Sequence, residues 1–536
     1  MKYVKHIMWA LAASIILGCG STAIISTPIE VIDTTPAKVA KPTEDELKKW
    51  HLTDLITDTL PGMSVERVHK ELLTGRKGKT VIVGVIDSGV DIEHEDLAGV
   101  VWTNKKEKPG NGKDDDQNGY IDDIHGWNFL GNSVHENLEF VRILKKGDDG
   151  SDQYKEAKAY YEKEYGRAQQ EKQQVDLLLQ QIPQAEKAVK DFLGKETYTD
   201  EDLKGINSED EKLARAKGLL LFLSANDLSY EKIKEYGEEA LLERIEYNLN
   251  PDFDGRSIVG DNPADFTDRD YGDNNVMGPD KEKISHGTHV AGIIAAIRNN
   301  GKGINGVAHN VEIMAIRAVP NGDEYDKDIA LAIRYAVDNG AKVINTSFGK
   351  FFSPNPEWVH DAIKYAASKD VLIVNAAGND TENIDMKTVY PNDENGNGGE
   401  IADNFITIGA LNYNYNGELI ANFSNYGKNN VDIFAPGVKI WSTMPDNEYD
   451  FSNGTSMAAP GVAGIAALIR SYYPKLSAPQ VKRILMESGL DSKLNLSIGK
   501  NNEPKTLKDI SVSGRIANAY NAIIMADKVS RGVINL

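Results

Sequence analysis

Apolar strand patterns alternate with amphipathic helix patterns from residue 79 to residue 435, and this alternation constrains the fold most strongly. The first run, residues 79–86, is an almost unbroken series of β-branched and apolar residues, which is typical of a parallel strand covered on both faces. Helical patterns at 327–339 and 356–368 separate several of the later strand-like runs, which are 311–318, 343–346, 371–375, 405–409 and 431–435. We therefore predict an α/β fold, a doubly wound and mostly parallel sheet flanked by helices.

Residues 150–249 differ from this pattern and are rich in Glu, Lys, Gln and Tyr. Apolar residues recur there at helical spacing, in a stripe made of Val175, Leu178, Ile182, Ala185, Val189 and Phe192. We predict an all-α insertion that separates residues 62–149 from residues 250–536 of one α/β domain. Its simplest role is a lid or spacer beside a functional site, and docking of a partner protein is the alternative.

The N-terminus has the features of an export signal. Lys2 and Lys5 precede an apolar run, residues 7–17, which is too short to cross a bilayer and ends just before Cys19. Residues 1–18 resemble the signal peptide of a bacterial lipoprotein, in which cleavage precedes the cysteine and the thiol is lipidated. A general secretory signal, or a cysteine there by chance, is the alternative. The resemblance implies an exported protein anchored by lipid in the bacterial cell envelope, at the outer membrane or cell surface.

Residues 19–61 are predicted to form a tether and an N-terminal segment. Within them, residues 20–42 are rich in Ser, Thr, Pro and Ala and lack periodicity, which is typical of a flexible linker. Such a tether would hold the folded protein away from the membrane.

Composition excludes some partners and some means of stabilisation. The formal net charge is −21, with 81 acidic and 60 basic residues, and this surplus argues against binding of nucleic acid, whose phosphates need clustered cations. Cys19 is the single cysteine, so no intramolecular disulfide can form. The fold must therefore be held by its core and by any bound metal.

An acidic loop at residues 111–123 has the spacing of a calcium loop of the EF type. Counting from Asp114, oxygen-bearing side chains occupy positions one, three, five and nine, and Gly119 occupies position six. His125 stands at position twelve, where such loops carry glutamate, so another oxygen must complete the shell. Carboxylates this close repel one another unless a cation is bound, and a solvated acidic turn is the alternative. The predicted Ca²⁺ ligands are Asp114, Asp116, Asn118, Tyr120 through its carbonyl, Asp122 and Asp123.

Three residues stand where catalytic groups are often found. Asp87 follows the first strand, at the edge where open α/β sheets bind ligands, although a turn aspartate is the alternative. Ser456 opens a run of small apolar residues, which fits a nucleophile at a helix N-terminus and also fits an ordinary N-cap. His286 and His289 are spaced i and i+3 without an evident third ligand, so one catalytic histidine is a better interpretation than a metal pair.

These residues lie in the order Asp, His, Ser, within the motifs VIDSGVD, HGTHVAG and NGTSMAAP. Together the motifs resemble those of the subtilisin-like serine peptidases, over roughly residues 62–525. The resemblance implies that Asp87, His286 and Ser456 are the catalytic triad of an endopeptidase acting on polypeptides. The 199 residues from Asp87 to His286 exceed the usual separation in this family, and the predicted insertion accounts for the excess.

The same resemblance assigns further residues. Asn379, after Ala376-Ala377-Gly378, would supply an oxyanion donor, and Ser347, Phe348 and Gly349 would form the edge segment that pairs with an extended substrate. The primary pocket would be formed by Ala377, Gly378 and Val389. Val389 would form the floor of that pocket, so we expect a preference for an apolar or aromatic residue before the cleaved bond, and no acidic cluster near Tyr390 indicates selection for a basic residue.

Two other functional hypotheses differ from proteolysis of general substrates. One is a catalytically silent relative that only binds peptides, but such a protein has no physical need for Asp87, His286, Ser456 and Asn379 together. The other is an adaptor whose helical insertion docks one partner, which it alone cleaves. Digestion of unrelated unfolded proteins would count against the second hypothesis.

Overall fold

A computed structural model describes residues 23–30, 32, 38, 40–226, 228–499 and 503–536. The signal peptide predicted at residues 1–18 and the lipidation site Cys19 lie outside the described residues. Both therefore stay predictions.

The strands lie where the apolar runs predict them, because those runs supply β-branched residues that are buried on both faces of a sheet. Short edge strands and hairpins, whose sequences are less apolar, were not predicted. The strands are β1 (Val81–Asp87), β2 (Gly126–Asn128), β3 (Val311–Arg317), β4 (Val343–Thr346), β5 (Leu372–Ala376), β6 (Phe405–Leu411), β7 (Ile433–Pro436), β8 (Ile440–Met444), β9 (Glu448–Ser452), β10 (Leu490–Asp491), β11 (Leu496–Ile498), β12 (Glu503–Lys505) and β13 (Arg515–Ile516).

Nine of the strands in the described part of the chain form one sheet, in the order β10-β13-β7-β6-β5-β4-β1-β3-β2. All neighbours in it are parallel except β10 and β13. The register pairs Asp87 at the end of β1 with Arg317 at the end of β3. The loops that follow β1, β3, β4 and β5 therefore meet at one edge of the sheet, as the predicted doubly wound fold requires.

Helices cover both faces of the sheet. The helices are α1 (Glu44–Leu47), α2 (Leu55–Asp58), α3 (Val65–Arg67), α4 (Glu139–Lys145), α5 (Asp152–Leu193), α6 (Asp200–Gly205), α7 (Glu211–Ala225), α8 (Tyr230–Lys232), α9 (Ala240–Glu243), α10 (Arg256–Val259), α11 (Ser285–Ala295), α12 (Asp326–Asp338), α13 (Pro356–Ser368), α14 (Thr455–Tyr472), α15 (Ala478–Glu487) and α16 (Ala519–Ser530). On one face Val83 and Val85 of β1 share a core with α11 and α14, and on the other Ile86 shares a core with α12 and α13. The alternation of β1 side chains between two cores explains its continuous apolar sequence.

Residues 139–248 form a helical region between β2 and α11 in the chain, with α4 to α9 and π-helical turns at Ile233–Glu239 and Arg244–Asn248. Its longest helix, α5, has 42 residues and includes Pro183. The second half of α5 packs with α6 and α7 around a small core, which contains Ile182, Val189 and Leu220. The first half of α5 packs with α4 around another core, which includes Phe352 from the segment between β4 and α13. The helical periodicity of this stretch therefore corresponds to helices in the structure.

The N-terminal segment packs against the body of the protein, and this includes Ile29, which lies within the flexible linker predicted at residues 20–42. Trp50 is fully buried, and its indole N–H lies 3.0 Å from the carbonyl oxygen of Val438. Further toward the N-terminus, the amide of Ile29 donates to Asn521 Oδ1 on α16. The composition of this stretch did not reveal these contacts, because isolated apolar residues such as Ile32 carry no periodic pattern. Among the helices of the described residues, none combines the length and apolarity that crossing a membrane requires.

Candidate active site

Asp87 is the last residue of β1, and its carboxylate lies almost wholly inside the protein, with 1% of the residue exposed. Its Oδ1 atom accepts the backbone N–H of Ser88 at 2.7 Å and lies 2.7 Å from Nδ1 of His286. A carboxylate only accepts hydrogen bonds, so His286 carries its proton on Nδ1 in the neutral form. Asp87 thereby fixes the tautomer that leaves Nε2 free to take a proton.

His286 lies in the first turn of α11. The next residue, Gly287, allows this close approach, because a Cβ there would lie 2.1 Å from the carbonyl oxygen of Gly89 and 3.0 Å from Cβ of Asp87. The surrounding protein disfavours the imidazolium, but the charge and hydrogen bond of Asp87 outweigh this and raise the pKa of His286 above its ordinary value of 6.5. The pair is thus arranged to stabilise a protonated imidazole during a reaction.

His289 does not share a metal site with His286. Its Nε2 atom lies 3.0 Å from the carbonyl oxygen of Ile440 and 3.2 Å from that of Asp450, so this nitrogen is a donor to the β8–β9 hairpin. Burial lowers the pKa of His289 to about 4, which keeps it neutral. His289 therefore links α11 to the hairpin through hydrogen bonds, and this leaves His286 as the candidate catalytic histidine.

Ser456 is the second residue of α14, after Gly454 at the N-cap. Gly454 has φ of 150° and ψ of 160°, a backbone conformation open only to glycine, and this turn presents the serine at the start of the helix. The hydroxyl of Ser456 donates to the carbonyl oxygen of Ser347 at 3.0 Å, and the hydroxyl of Ser347 donates to the carbonyl oxygen of Ser456 at 3.0 Å. The predicted nucleophile is therefore hydrogen-bonded directly to the predicted substrate-binding segment.

Asn379 lies beside the same turn. Its Oδ1 accepts the backbone N–H of Thr455 at 2.9 Å and the hydroxyl of Thr455 at 3.0 Å, which fixes the orientation of the amide. The Nδ2 group then faces Gly454, because a Cβ placed on that glycine would lie 3.5 Å from it. An amide donor held next to a helix N-terminus can bind an oxygen that becomes negatively charged.

A cavity of about 320 Å³ opens beside Ser456. Of the residues predicted to bind substrate, Phe348, Gly349, Gly378 and Val389 line it. Gly378 has φ of 99°, and a Cβ there would lie 2.4 Å from Nδ2 of Asn425, so its glycine is required by the backbone and by Asn425.

Ala377 is predicted to form part of the primary pocket, but it does not line this cavity. It is buried against β6, with its amide donating to the carbonyl oxygen of Ile408, and belongs to a different part of the core. Its neighbour Ala376 lines the cavity instead. Successive residues of an extended chain point in opposite directions, so the sequence assignment was displaced by one residue.

Three carboxyl groups that the sequence did not indicate also line this cavity. Asp323 and Glu324 come from the loop after β3, and Asp380 follows Asn379. Burial raises the pKa of Glu324 to about 8 and raises the pKa of Asp380 above its ordinary value. The sequence around Tyr390 does not reveal them, because these loops come together only at the edge of the folded sheet.

The acidic loop is partly rearranged relative to the predicted calcium ligands. Asp114 and Asp116 come together with Glu107, with candidate ligand oxygens within 4.8 Å of one another. Glu107 was not predicted, since it lies outside the EF-type spacing. Its Oε1 accepts the amides of Asp115 and Asp116, whereas Oε2 is buried without a hydrogen-bond partner. That orphaned oxygen makes the cluster suited to a cation.

Other members of the predicted set point elsewhere. Asp122 accepts the backbone N–H groups of Asn111 and Gly112, so its carboxylate closes the loop. Asp123 accepts the hydroxyl of Tyr335 at 2.7 Å, and burial raises its pKa to about 6.

Asn118, and the carbonyl oxygen of Tyr120, stay predicted ligands. Asn118 donates from Nδ2 to Asp123 and accepts the amide of Tyr120. The ring of Tyr120 packs edge-on against Trp127 and Tyr335. Of the carboxylates in the predicted set, Asp114 and Asp116 therefore come together with Glu107, and Asp122 and Asp123 are not part of that group.

Comparison with known proteins gives a consistent answer. Residues 78–510 match the Peptidase_S8 subtilase family. The chain is 43% identical over 223 residues to the thermophilic serine proteinase of Bacillus sp. (strain AK1), covering 41% of this chain and 49% of that protein. It is 40% identical over 203 residues to subtilisin DY of Bacillus licheniformis, covering 37% of this chain and 68% of that protein.

A third relative is the cell wall-associated protease of Bacillus subtilis (strain 168), 35% identical over 288 residues, which cover 54% of this chain and 28% of that protein. The matches thus span from about a quarter to two thirds of these relatives' length. Among solved structures, a protease of Pseudoalteromonas arctica is similar with a TM-score of 0.37 and 30% identity, over 45% of this chain and 70% of that chain. The match over residues 78–510 covers most of the sequence, and the chain belongs to the subtilase family.

Proposed function

We propose that this protein is a serine endopeptidase that hydrolyses peptide bonds through a covalent acyl-enzyme. The observation that carries the proposal is the 2.7 Å contact between Asp87 and His286 at the sheet edge where Ser456 and Asn379 meet a cavity. Asp87 and His286 form the pair that a catalytic triad requires, while the hydroxyl of Ser456 donates to Ser347 in the resting structure. A protein that only binds peptides needs no such arrangement.

In the proposed reaction, Ser456 turns from Ser347 toward His286, which takes the hydroxyl proton on Nε2 as the oxygen attacks the substrate carbonyl. Asp87 stabilises the imidazolium that forms. The backbone N–H of Ser456 and the Nδ2 group of Asn379 hold the oxyanion of the tetrahedral intermediate. His286 then protonates the leaving amine, and a water molecule releases the acyl group by the same steps.

The substrate is proposed to be an extended polypeptide that pairs with residues 347–349. Phe348, Gly349 and Val389 give the cavity an apolar part, and this supports the expected preference for an apolar or aromatic residue before the cleaved bond. Asp323 and Glu324 lie on the loop after β3, which β1 separates from β4 in the sheet order. Lys350, which follows the substrate-binding segment, donates to the carbonyl oxygen of Glu324, so this loop borders the cleft beside that segment.

A calcium ion is proposed to bind the acidic loop through Glu107, Asp114 and Asp116. When bound, it would neutralise their mutual repulsion and stabilise the loop, and it has no part in the chemical step. The donor set consists of carboxylate oxygens, which Ca²⁺ prefers, and the unpartnered Oε2 of Glu107 supports the assignment.

The protein is further proposed to be exported and anchored in the bacterial cell envelope by a lipid on Cys19. The signal-like residues 1–18 support this, and one relative is a cell wall-associated protease. Docking of a partner by residues 150–249 stays a prediction.

The proposed function is tested by digestion of unfolded casein with the chain that begins after Cys19, beside the Ser456→Ala variant. Both proteins are assayed with Ca²⁺ and with chelator. We expect cleavage by the first protein only, with greater persistence in Ca²⁺. Equal inactivity of the two proteins in Ca²⁺ would contradict general proteolysis.

A further inference from the structure

We infer that Glu139, on helix α4 of the helical region, is a positioning residue that holds the substrate-binding segment in place through Lys350. This inference rests on the proposed function and extends it. It assigns part of the substrate cleft's rigidity to residues that lie outside the sheet.

Lys350 follows the substrate-binding segment directly, and its backbone joins the two walls of the cavity. Its amide donates to the carbonyl oxygen of Tyr390 at 2.9 Å, and the amide of Tyr390 donates back at 2.8 Å. The residues before these two, Gly349 and Val389, both line the cavity, one from each segment. A Cβ on Gly349 would lie 3.2 Å from Val389 Cγ1, so the walls are already close. The position of Lys350 therefore sets the width of the cleft.

The side chain of Lys350 is buried, with 4% of the residue exposed, and three oxygens hold its ammonium group. Glu139 Oε2 and Asp326 Oδ1 each lie 3.0 Å from Nζ, and the carbonyl oxygen of Glu324 lies 2.7 Å away. A buried ammonium group is costly unless its partners are in place. Because one of the two carboxylates belongs to α4, the helical region contributes half of the charge that fixes Lys350.

Glu139 is itself held firmly. It is 3% exposed and pairs with Arg142, which also donates to the carbonyl oxygens of Asp323 and Glu324. The backbone N–H of Glu139 donates to Asp323 Oδ2 at 2.7 Å. Burial opposes ionisation of Glu139, but Arg142 and Lys350 overcome it and lower its pKa to about 2. The carboxylate is thus charged throughout the neutral range.

Aromatic and polar contacts also join the helical region to the segments that form the cleft. Phe140 of α4 and Tyr160 of α5 pack against Phe352, with ring centroids 6.1 Å and 5.7 Å away. The hydroxyl of Tyr160 accepts from Lys387 Nζ at 3.2 Å, two residues before the cavity wall at Val389. The helical region therefore contacts both walls of the cleft, and Glu139 is its charged link to one of them.

This arrangement affects long and short substrates differently. A peptide that extends along residues 347–349 needs that segment in a fixed position, and loosening it adds an ordering cost to binding. A reagent that contacts only Ser456 does not meet this cost. Loss of the Glu139 charge should therefore raise KM for extended peptides and leave the intrinsic reactivity of the serine unchanged.

The test compares Glu139→Gln with the control Glu164→Gln in the full chain. Glu164 pairs with Arg244 at 2.6 Å within the helical region, so its substitution breaks an ion pair of similar kind away from the cleft. Each protein is assayed with a peptide amide of four residues before the cleaved bond, with a single-residue ester, and for inactivation by a small sulfonyl fluoride.

We expect Glu139→Gln to raise KM for the long peptide about tenfold, with kcat, ester hydrolysis and sulfonyl fluoride reactivity within about twofold of wild type. The control should match wild type in every assay. Equal loss in all assays, or no change for the long peptide, would overturn the inference. Wild-type protein inert toward all three reagents would instead refute the proposed function.

A second variant covers the case in which Glu139→Gln does not fold. Glu139→Asp keeps the charge and shortens the side chain by one methylene, so we expect an increase in KM of about threefold for the long peptide only. A value equal to wild type for Glu139→Asp, with Glu139→Gln unfolded, would also count against positioning by this carboxylate.

Discussion

The hydroxyl of Ser456 donates to the carbonyl oxygen of Ser347 at 3.0 Å, so the predicted nucleophile is bonded to the segment that is proposed to bind substrate. A peptide bound along that segment places its carbonyl group next to the same hydroxyl. Rotation of the serine toward His286 then exchanges one hydrogen bond for another, with little cost in free energy. The resting bond thus keeps Ser456 ordered until substrate binds.

The oxyanion role of Asn379 is tested by Asn379→Asp. This substitution keeps an oxygen acceptor for the backbone N–H of Thr455 and removes the amide donor. We expect kcat to fall about 100-fold to 1,000-fold with a small change in KM, because the lost interaction forms only in the transition state. Steady-state kinetics on a peptide amide measure this, and an equal kcat would refute the assignment.

The pH dependence of kcat/KM follows from the raised pKa of His286. Catalysis needs the neutral imidazole, so activity should rise as pH increases through that pKa, with the midpoint above the ordinary 6.5. Asp87→Asn removes the charge that raises the pKa, so we expect the midpoint to move to lower pH and kcat to fall about 10⁴-fold. A midpoint that does not move would show that Asp87 does not act on His286.

The calcium site predicts a stability effect that is independent of activity. Ca²⁺ should raise the melting temperature of wild type, and saturation at 100 times Kd contributes about 2.7 kcal/mol. Glu107→Gln removes a ligand and should abolish most of this shift. Asp122→Asn is the control, because Asp122 binds backbone N–H groups and its loss should leave the shift from added Ca²⁺ unchanged. Equal shifts in all three proteins would exclude Glu107 as a ligand.

The buried N-terminal segment predicts that the folded domain begins before residue 62. Trp50→Ala should lower the free energy of unfolding by about 3–5 kcal/mol, since it empties a fully buried site. Phe192→Ala, at a side chain that is half exposed, should change it by less than about 0.5 kcal/mol. Denaturant unfolding measures both, and equal effects would mean that Trp50 does not belong to the core.

Much of the fold was predictable because its signals are local. The runs at 311–318 and 405–409 form β3 and β6, since continuous β-branched sequence marks a strand buried on both faces. The pairing of Asp87 with His286 was predictable from family motifs, although 199 residues separate the two.

The remaining features depend on contacts that no local pattern encodes. Glu107 approaches Asp114 only because the loop between them folds back, and Lys350 meets Glu139 only after α4 packs against the segment between β4 and α13. Ala376, and not the predicted Ala377, lines the pocket, because the direction of a side chain at the end of a strand depends on where the strand stops. Sequence reasoning therefore located the site but not the residues that support it.

The central claim is that His286 activates Ser456 as a nucleophile. It is tested most directly by reaction with a fluorophosphonate at neutral pH, followed by mass spectrometry of the digested protein. We expect a single adduct on Ser456 in wild type, and a reaction about 1,000-fold slower in a folded His286→Ala variant. An adduct on another residue, or an equal rate in the two proteins, would contradict it.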